Sequence, residues 1–155
     1  WPDALRPVVV AGYRPIRDEL DPTPLMRALI RRGARTAQPV TPPRGSGAPL
    51  AFRLWSPGEP LERSAWGVLE PTEAGHPVTP DLILTPVLAF NGAGHRLGWG
   101  QGHFDRTLRT LRASGRVLAV GVAYAAQERT DLVVEPHDEP LDAVLTETGW
   151  RWTGG

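Results

Sequence analysis

Three stretches of this chain are apolar without alternation, and they restrict its fold more than any other feature. Val8, Val9, Val10 and Ala11 follow one another within residues 7–13. Residues 81–90 carry Leu82, Ile83, Leu84, Val87 and Leu88, and residues 117–123 form a further run. A strand with one wet face alternates polar and apolar residues, whereas an unbroken apolar run suits a strand covered on both faces. Such strands belong to parallel sheets, whose crossover helices lie against the two faces.

Helical signals fall between these runs. Asp21 and Pro22 read as N-cap and first helical position, followed at helical spacing by Leu25, Met26, Leu29 and Ile30, with Gly33 as the stop. A second helix is expected to begin near His103, carry Phe104, Leu108 and Leu111 on one face, and end at Ser114 and Gly115. Pro86 is expected to end or bend the 81–90 strand. Residues 143–145 read as a short late strand. From 34 to 80 the signal is weaker: Pro42, Pro43, Gly45, Ser46 and Gly47 make a flexible connection. Residues 50–55 suit an exposed strand or hairpin arm, and 66–69 another short strand. The expected fold is α/β: a three-layer sandwich around a mostly parallel, Rossmann-like open sheet, with residues 1–155 as a single domain. In such sheets ligands sit at the carboxyl ends of strands, where Glu19, the loop before His103 and Asp138 would emerge.

Composition removes several classes of function. Seventeen basic residues balance seventeen acidic ones, so no global charge favours nucleic acid or an anionic membrane. No apolar run approaches the roughly 18 residues of a membrane span, and no secretory leader is recognisable. With no Cys there is neither a thiolate metal site nor a cysteine nucleophile, and a cytoplasmic setting is expected. All seventeen basic residues are Arg. GC-rich codon usage accounts for that blandly, but the consequence is chemical. Any phosphate must be met by guanidinium, backbone N–H groups or metal, and a Walker-type loop, which needs Lys, is excluded.

The informative stretch runs Gly94-His95-Arg96-Leu97-Gly98-Trp99-Gly100-Gln101-Gly102-His103-Phe104-Asp105-Arg106. Glycines at alternate positions before a helix N-terminus suit an anion, because they remove Cβ atoms while the helix offers free N–H groups and its positive dipole end. A tight turn needing positive φ explains the same glycines. The spacing is not the G-x-G-x-x-G dinucleotide fingerprint. Asp105, in the first turn of the helix, is favoured by the dipole alone. Beside a bound phosphate, however, it would need an intervening cation, which suggests Mg²⁺. Asp138 suits either a loop cap or a second carboxylate near the same metal.

Residues 81–91 together with 94–106 resemble the signature of the 5-formyltetrahydrofolate cyclo-ligase (methenyltetrahydrofolate synthetase) family. Residues 13–21 look like that family's early substrate loop, 124–127 like its late strand, and 135–142 like its C-terminal end. The resemblance covers about Val8 to Glu147. It implies an ATP- and Mg²⁺-dependent ligase that closes 5-formyltetrahydrofolate to 5,10-methenyltetrahydrofolate and releases ADP and phosphate. Arg96, Leu97, Gly98, Trp99, Gly100, Gln101, Gly102, His103 and Phe104 then match the ATP-binding loop, with Arg96 and Asp105 as catalytic residues. Arg14, Glu19, Trp99, Gly100, Gln101, Gly102 and His103 match substrate-binding positions, and Asp105 and Asp138 the metal positions. The implied partner is a folate, polyglutamylated or not, and a monomer is expected.

Departures from the family pattern are equally specific. Two aromatics, often both Tyr, usually precede the aspartate; here they are His103 and Phe104, so phenol hydroxyls are lost and a titratable ring is gained. Asn91 stands where Asp is common. The family's N-terminal helix, with its Lys/Arg cluster, has no counterpart after Trp1. These departures motivate an alternative: a non-catalytic folate- or nucleotide-binding relative on the same scaffold.

Overall fold

The computed structural model of the chain describes residues 1–98, 100 and 102–154. In chain order the strands are β1 (Val9–Ala11), β2 (Arg35–Val40), β3 (Ala51–Leu54), β4 (Leu61–Arg63), β5 (Leu69–Pro71) and β6 (Leu82–Pro86). They continue with β7 (Ala89–Phe90), β8 (Arg96–Leu97), β9 (Leu118–Val122), β10 (Ala143–Thr146) and β11 (Gly149–Trp152). Helix α1 (Thr23–Arg31) follows β1, α2 (His103–Ser114) precedes β9, and Ala125–Gln127 forms a 3-10 turn.

Seven strands make one sheet in the spatial order β11-β10-β9-β6-β1-β2-β3, while β4–β5 and β7–β8 are separate two-stranded pairs. β2, β1, β6, β9 and β10 pair in parallel, and the two edge strands β3 and β11 pair antiparallel. Numbered along the chain, the parallel strands lie in the order 2-1-3-4-5. The direction of winding therefore reverses between β1 and β6, which is the switch point where ligands bind in open α/β sheets. This bears out the expected mostly parallel sheet.

The unbroken apolar runs do fill both faces. Val9, Ala11, Ile83 and Ala119 share one cluster with Leu108 of α2, and Val10, Leu82, Leu84 and Val120 share the other with Met26 and Leu29 of α1. Alternate residues of β1, β6 and β9 thus serve opposite helices. Gly12 lets α1 approach, since a Cβ there would lie 2.3 Å from the Met26 sulfur. Gly33, at φ +96°, ends α1 as expected. The start of α1 is shifted by one residue: Pro22 is the N-cap, and the Asp21 carboxylate accepts the Thr23 N–H at 2.9 Å.

β2 escapes the hydropathy pattern because Thr36 and Gln38 are buried and Pro39 lies within it. Thr36 satisfies its hydroxyl by donating to the Trp55 carbonyl at 2.6 Å. At the amino ends of the central strands, the Asp81 carboxylate accepts the N–H groups of Val8 at 2.9 Å and Val9 at 2.8 Å, tying β1 to β6. Asp81→Ala should lower the unfolding free energy by about 1–3 kcal/mol, the range for losing hydrogen bonds to a charged acceptor. Urea denaturation checks this, and an unchanged midpoint would remove Asp81 from the joint between β1 and β6.

Candidate active site

Beyond the carboxyl ends of β1 and β6 the chain leaves a cavity of about 520 Å³. The segment after β1 contributes Tyr13, Arg14 and Glu19, and β8 with the start of α2 contributes Arg96, Gly98, Gly100, Gly102, His103, Phe104 and Asp105. The loop before β10 adds Glu135, His137 and Asp138, and the remaining wall is built by Thr41, Leu50, Trp66, Val68, Leu69 and Glu70. The structure therefore brings Arg14, Glu19, Arg96, Leu97, Gly98, Gly100, Gly102, His103, Phe104, Asp105 and Asp138 to one cleft. Trp99 and Gln101 lie outside the described residues.

Arg96 dominates one end. Its side chain is only 8% exposed, its guanidinium sits 5.4 Å from the centre of the Phe104 ring, and Nη2 lies 3.7 Å from Asp105 Oδ1. Burial pulls its pKa below the ordinary guanidinium value, while Asp105, Asp138 and Glu19 push it back up. Nε is buried without a hydrogen-bond partner. A buried charge normally completes its hydrogen bonds, and a guanidinium with an unmet donor that lines a cleft beside a helix N-terminus suits an incoming anion.

The glycines divide their roles in a way the spacing did not reveal. A Cβ on Gly98 would lie 2.8 Å from Arg96 Nη1, and one on Gly102 would lie 2.9 Å from Arg106 Nη1. These two glycines make room for guanidinium groups of the protein itself. Gly100, at φ +86°, has nothing within 4 Å of its absent Cβ, and it alone of the three fits the expected open approach for a ligand.

Both aspartates combine a local and a cleft role. Asp105 Oδ1 accepts the Glu139 N–H at 3.0 Å, and Asp138 Oδ2 accepts the Glu135 N–H at 2.8 Å. Asp138 is thus a loop cap that also lines the cleft. Among the described residues no group of three or more His, Asp or Glu side chains is arranged to hold a metal. Asp105 and Asp138 both line the cleft, and one or two carboxylates are the donors Mg²⁺ ordinarily takes, since it rarely uses an all-protein cage. The lining also holds five carboxylates (Glu19, Glu70, Asp105, Glu135 and Asp138) against the guanidiniums of Arg14 and Arg96, so a polyanion entering alone meets net repulsion.

Glu19 accepts the Ile16 N–H at 3.0 Å. Tyr13 is buried and donates to the Leu20 carbonyl; burial, with Glu19 and Asp21, holds its phenol protonated well above the usual range. His103 packs edge-on against Trp66 at 5.3 Å, and Arg44 lies 4.0 Å from the centre of the same indole ring. Burial, followed by the nearby Arg106, lowers the His103 pKa. The sequence reading gave no site role to Trp66 or Glu70. A buried acid within the weakly patterned region 34–80 carried no signal of its own.

Fold and cleft together define an α/β protein with a charged crevice at the switch point of its sheet. Residues 6–147 match the family model described as the 5-formyltetrahydrofolate cyclo-ligase family. The chain is 34% identical to the 5-formyltetrahydrofolate cyclo-ligase of Escherichia coli K12 over 157 aligned positions, covering 98% of this chain and 85% of that one. It is 34% identical to the Mycolicibacterium smegmatis enzyme of the same name, covering 88% and 72%. The solved Aquifex aeolicus 5,10-methenyltetrahydrofolate synthetase superposes with a TM-score of 0.74 at 32% identity, covering 94% of this chain and 72% of that one. The Mycoplasma pneumoniae synthetase shares the fold, at a TM-score of 0.64 and 24% identity over 88% and 71%. The chain belongs to the 5-formyltetrahydrofolate cyclo-ligase family. Among the described residues no helix is long and apolar enough to cross a membrane.

Two outcomes follow from this geometry. Gly98→Ala should displace the Arg96 guanidinium and weaken phosphate binding at least tenfold by calorimetry, while thermal melting stays close to wild type; an unaltered affinity would refute the nesting. His103, with its pKa lowered in the folded state, resists protonation there while the unfolded chain accepts it. Its effect on stability is therefore absent above the ordinary imidazole pKa of about 6.5 and grows as pH falls below it. His103→Gln should make unfolding less acid-sensitive in that lower window, and an NMR titration of the His103 ring should give a midpoint below that of a free imidazole.

Proposed function

We propose that this protein couples ATP cleavage to ring closure of 5-formyltetrahydrofolate, giving 5,10-methenyltetrahydrofolate, ADP and phosphate. The observation that carries the reading is Arg96: a buried cation lining the cleft beside Asp105 and the N-terminus of α2, its Nε without a hydrogen-bond partner. The reaction needs the formyl oxygen brought in line with the γ-phosphorus, and developing phosphoryl charge neutralised. Neither demand requires a Ser, Cys or Lys nucleophile. The formyl oxygen forms the new O–P bond as ADP departs. N10 then bonds to the formyl carbon and gives up its proton, and the C–O bond breaks so that the oxygen leaves with phosphate.

Arg96, the N–H groups at the start of α2 and the open space at Gly100 are assigned to the phosphates. Asp105 and Asp138 would hold Mg²⁺, which when bound offsets phosphate charge in a cleft rich in carboxylates. Glu19 and Arg14, on the segment leaving β1, are assigned to the folate. The relatives' names supply the substrate, and the cleft supplies groups suited to it.

Incubation with 5-formyltetrahydrofolate, ATP and Mg²⁺ should produce the methenyl chromophore in the near ultraviolet, one ADP per ring closed. Folate binding without product would favour a non-catalytic relative. Asp105→Asn sharpens the test. If Asp105 served only the helix dipole, the change would cost roughly 0.3–1 kcal/mol of stability and little turnover. The expected result is some loss of melting stability, because the buried Arg96 loses its neighbouring charge, with turnover reduced on the order of a hundredfold, the scale for losing one positioned electrostatic group. A fully active variant with ordinary metal dependence would overturn the assignment.

A further inference from the structure

Glu70, on β5, is 6% exposed and lines the cleft on the wall opposite in character to the Arg96 end. Its Oε2 accepts the Thr41 N–H at 2.6 Å. No ion pair among the described residues reaches it. The guanidinium on the adjoining β3, Arg53, donates instead to the Pro71 carbonyl at 3.1 Å, and the residue opposite Glu70 in the hairpin register is another acid, Glu62. The same cleft is lined by the apolar side chains of Pro39, Leu50, Trp66, Val68 and Leu69.

A mostly buried acid with one hydrogen bond and no ion pair, at the edge of a cleft, adds little to the core that an apolar residue of similar size would not. What such a group can do is accept. Its two oxygens offer about four lone-pair sites, of which the Thr41 bond uses one. We propose that Glu70 is a specificity-determining residue that accepts hydrogen bonds from the donor edge of a flat heterocycle lodged against this apolar wall. On the folate reading above, on which this assignment rests, that edge is the adjacent 2-amino and N3–H groups of the pterin, two parallel donors matched to two carboxylate oxygens. A site built around such donors rejects analogues that lack them, because the buried acceptor is then left unpaired.

The test is a cycle of binding measurements on the whole protein: wild type and Glu70→Gln, each with 5-formyltetrahydrofolate and its 2-desamino-2-methyl analogue. Gln keeps the acceptor for Thr41, so a purely local role leaves affinity unchanged. The expected result is a loss of roughly tenfold to a hundredfold for the variant with the parent folate, a similar loss for wild type with the analogue, and little further loss when both changes are combined. ATP affinity should be unaltered in the variant. Equal affinity of both proteins for the parent folate, or losses that simply multiply, would overturn the assignment. If Glu70→Gln does not fold, Glu70→Asp, which keeps the charge but retracts it by one methylene, takes its place in the cycle. Failure of the wild-type protein to bind the parent folate at all would instead strike the proposed activity.

Discussion

Everything functional in this molecule hangs on the joint between β1 and β6. Only Val10↔Leu82 and Ala11↔Ile83 are paired across it, and the Asp81 carboxylate clamps its lower end. β1 leads to α1 on one face of the sheet, while β6 leads through β8 to α2 on the other. Because the chain departs in opposite directions from these neighbouring strands, their carboxyl ends cannot be roofed by a single connection. The crevice is thus a by-product of sheet topology, and the segments flanking it are free to carry chemistry.

Charge organises that crevice into two unlike ends. At one, Arg96 is held by Phe104 and Asp105 with a donor left open; at the other, Glu70 sits among apolar side chains with acceptor capacity to spare. The surplus of carboxylates over guanidiniums would make a polyanion and a divalent cation more welcome together than either alone. By linkage each then raises the other's affinity by the same factor. In a chain whose basic residues are all Arg, the buried cation is of the kind that keeps its proton most stubbornly, which suits a site that must stay positive while burial works against it.

How much of this was readable in the residues depended on whether a single local signal was present. The runs at Val8–Ala11 and 117–123 and the stops at Gly33 and Gly115 announced the sheet and its helices, because burial on two faces and helix termination are written in a few adjacent positions. β2 was not readable, since Gln38 and Pro39 contradict a central strand until the pairing with β3 is seen. Without β2 and β5 in place, Glu70 looked like any surface acid. The glycines of the loop were recognised, and the turn explanation holds at Gly100 and Gly102, both at positive φ, but their side-chain neighbours were not foreseen. That Gly98 and Gly102 yield to arginines, and Gly100 to open space, is a matter of side chains folding back on their own loop, and no spacing rule encodes it.

That folding back has an evolutionary consequence. Arg96 occupies the volume a side chain at Gly98 would need, and Arg106 does the same at Gly102. Arg96 and Gly98 are therefore coupled positions, whereas Gly102 answers both to Arg106 and to its own φ of +70°. Without Arg96, position 98 would be open to other residues, whereas with Arg96 in place any side chain there must move the guanidinium tip aside. Gly100 differs in having no such partner, because what excludes a side chain from it is a backbone angle and the proposed ligand, and neither is a position that could change in step.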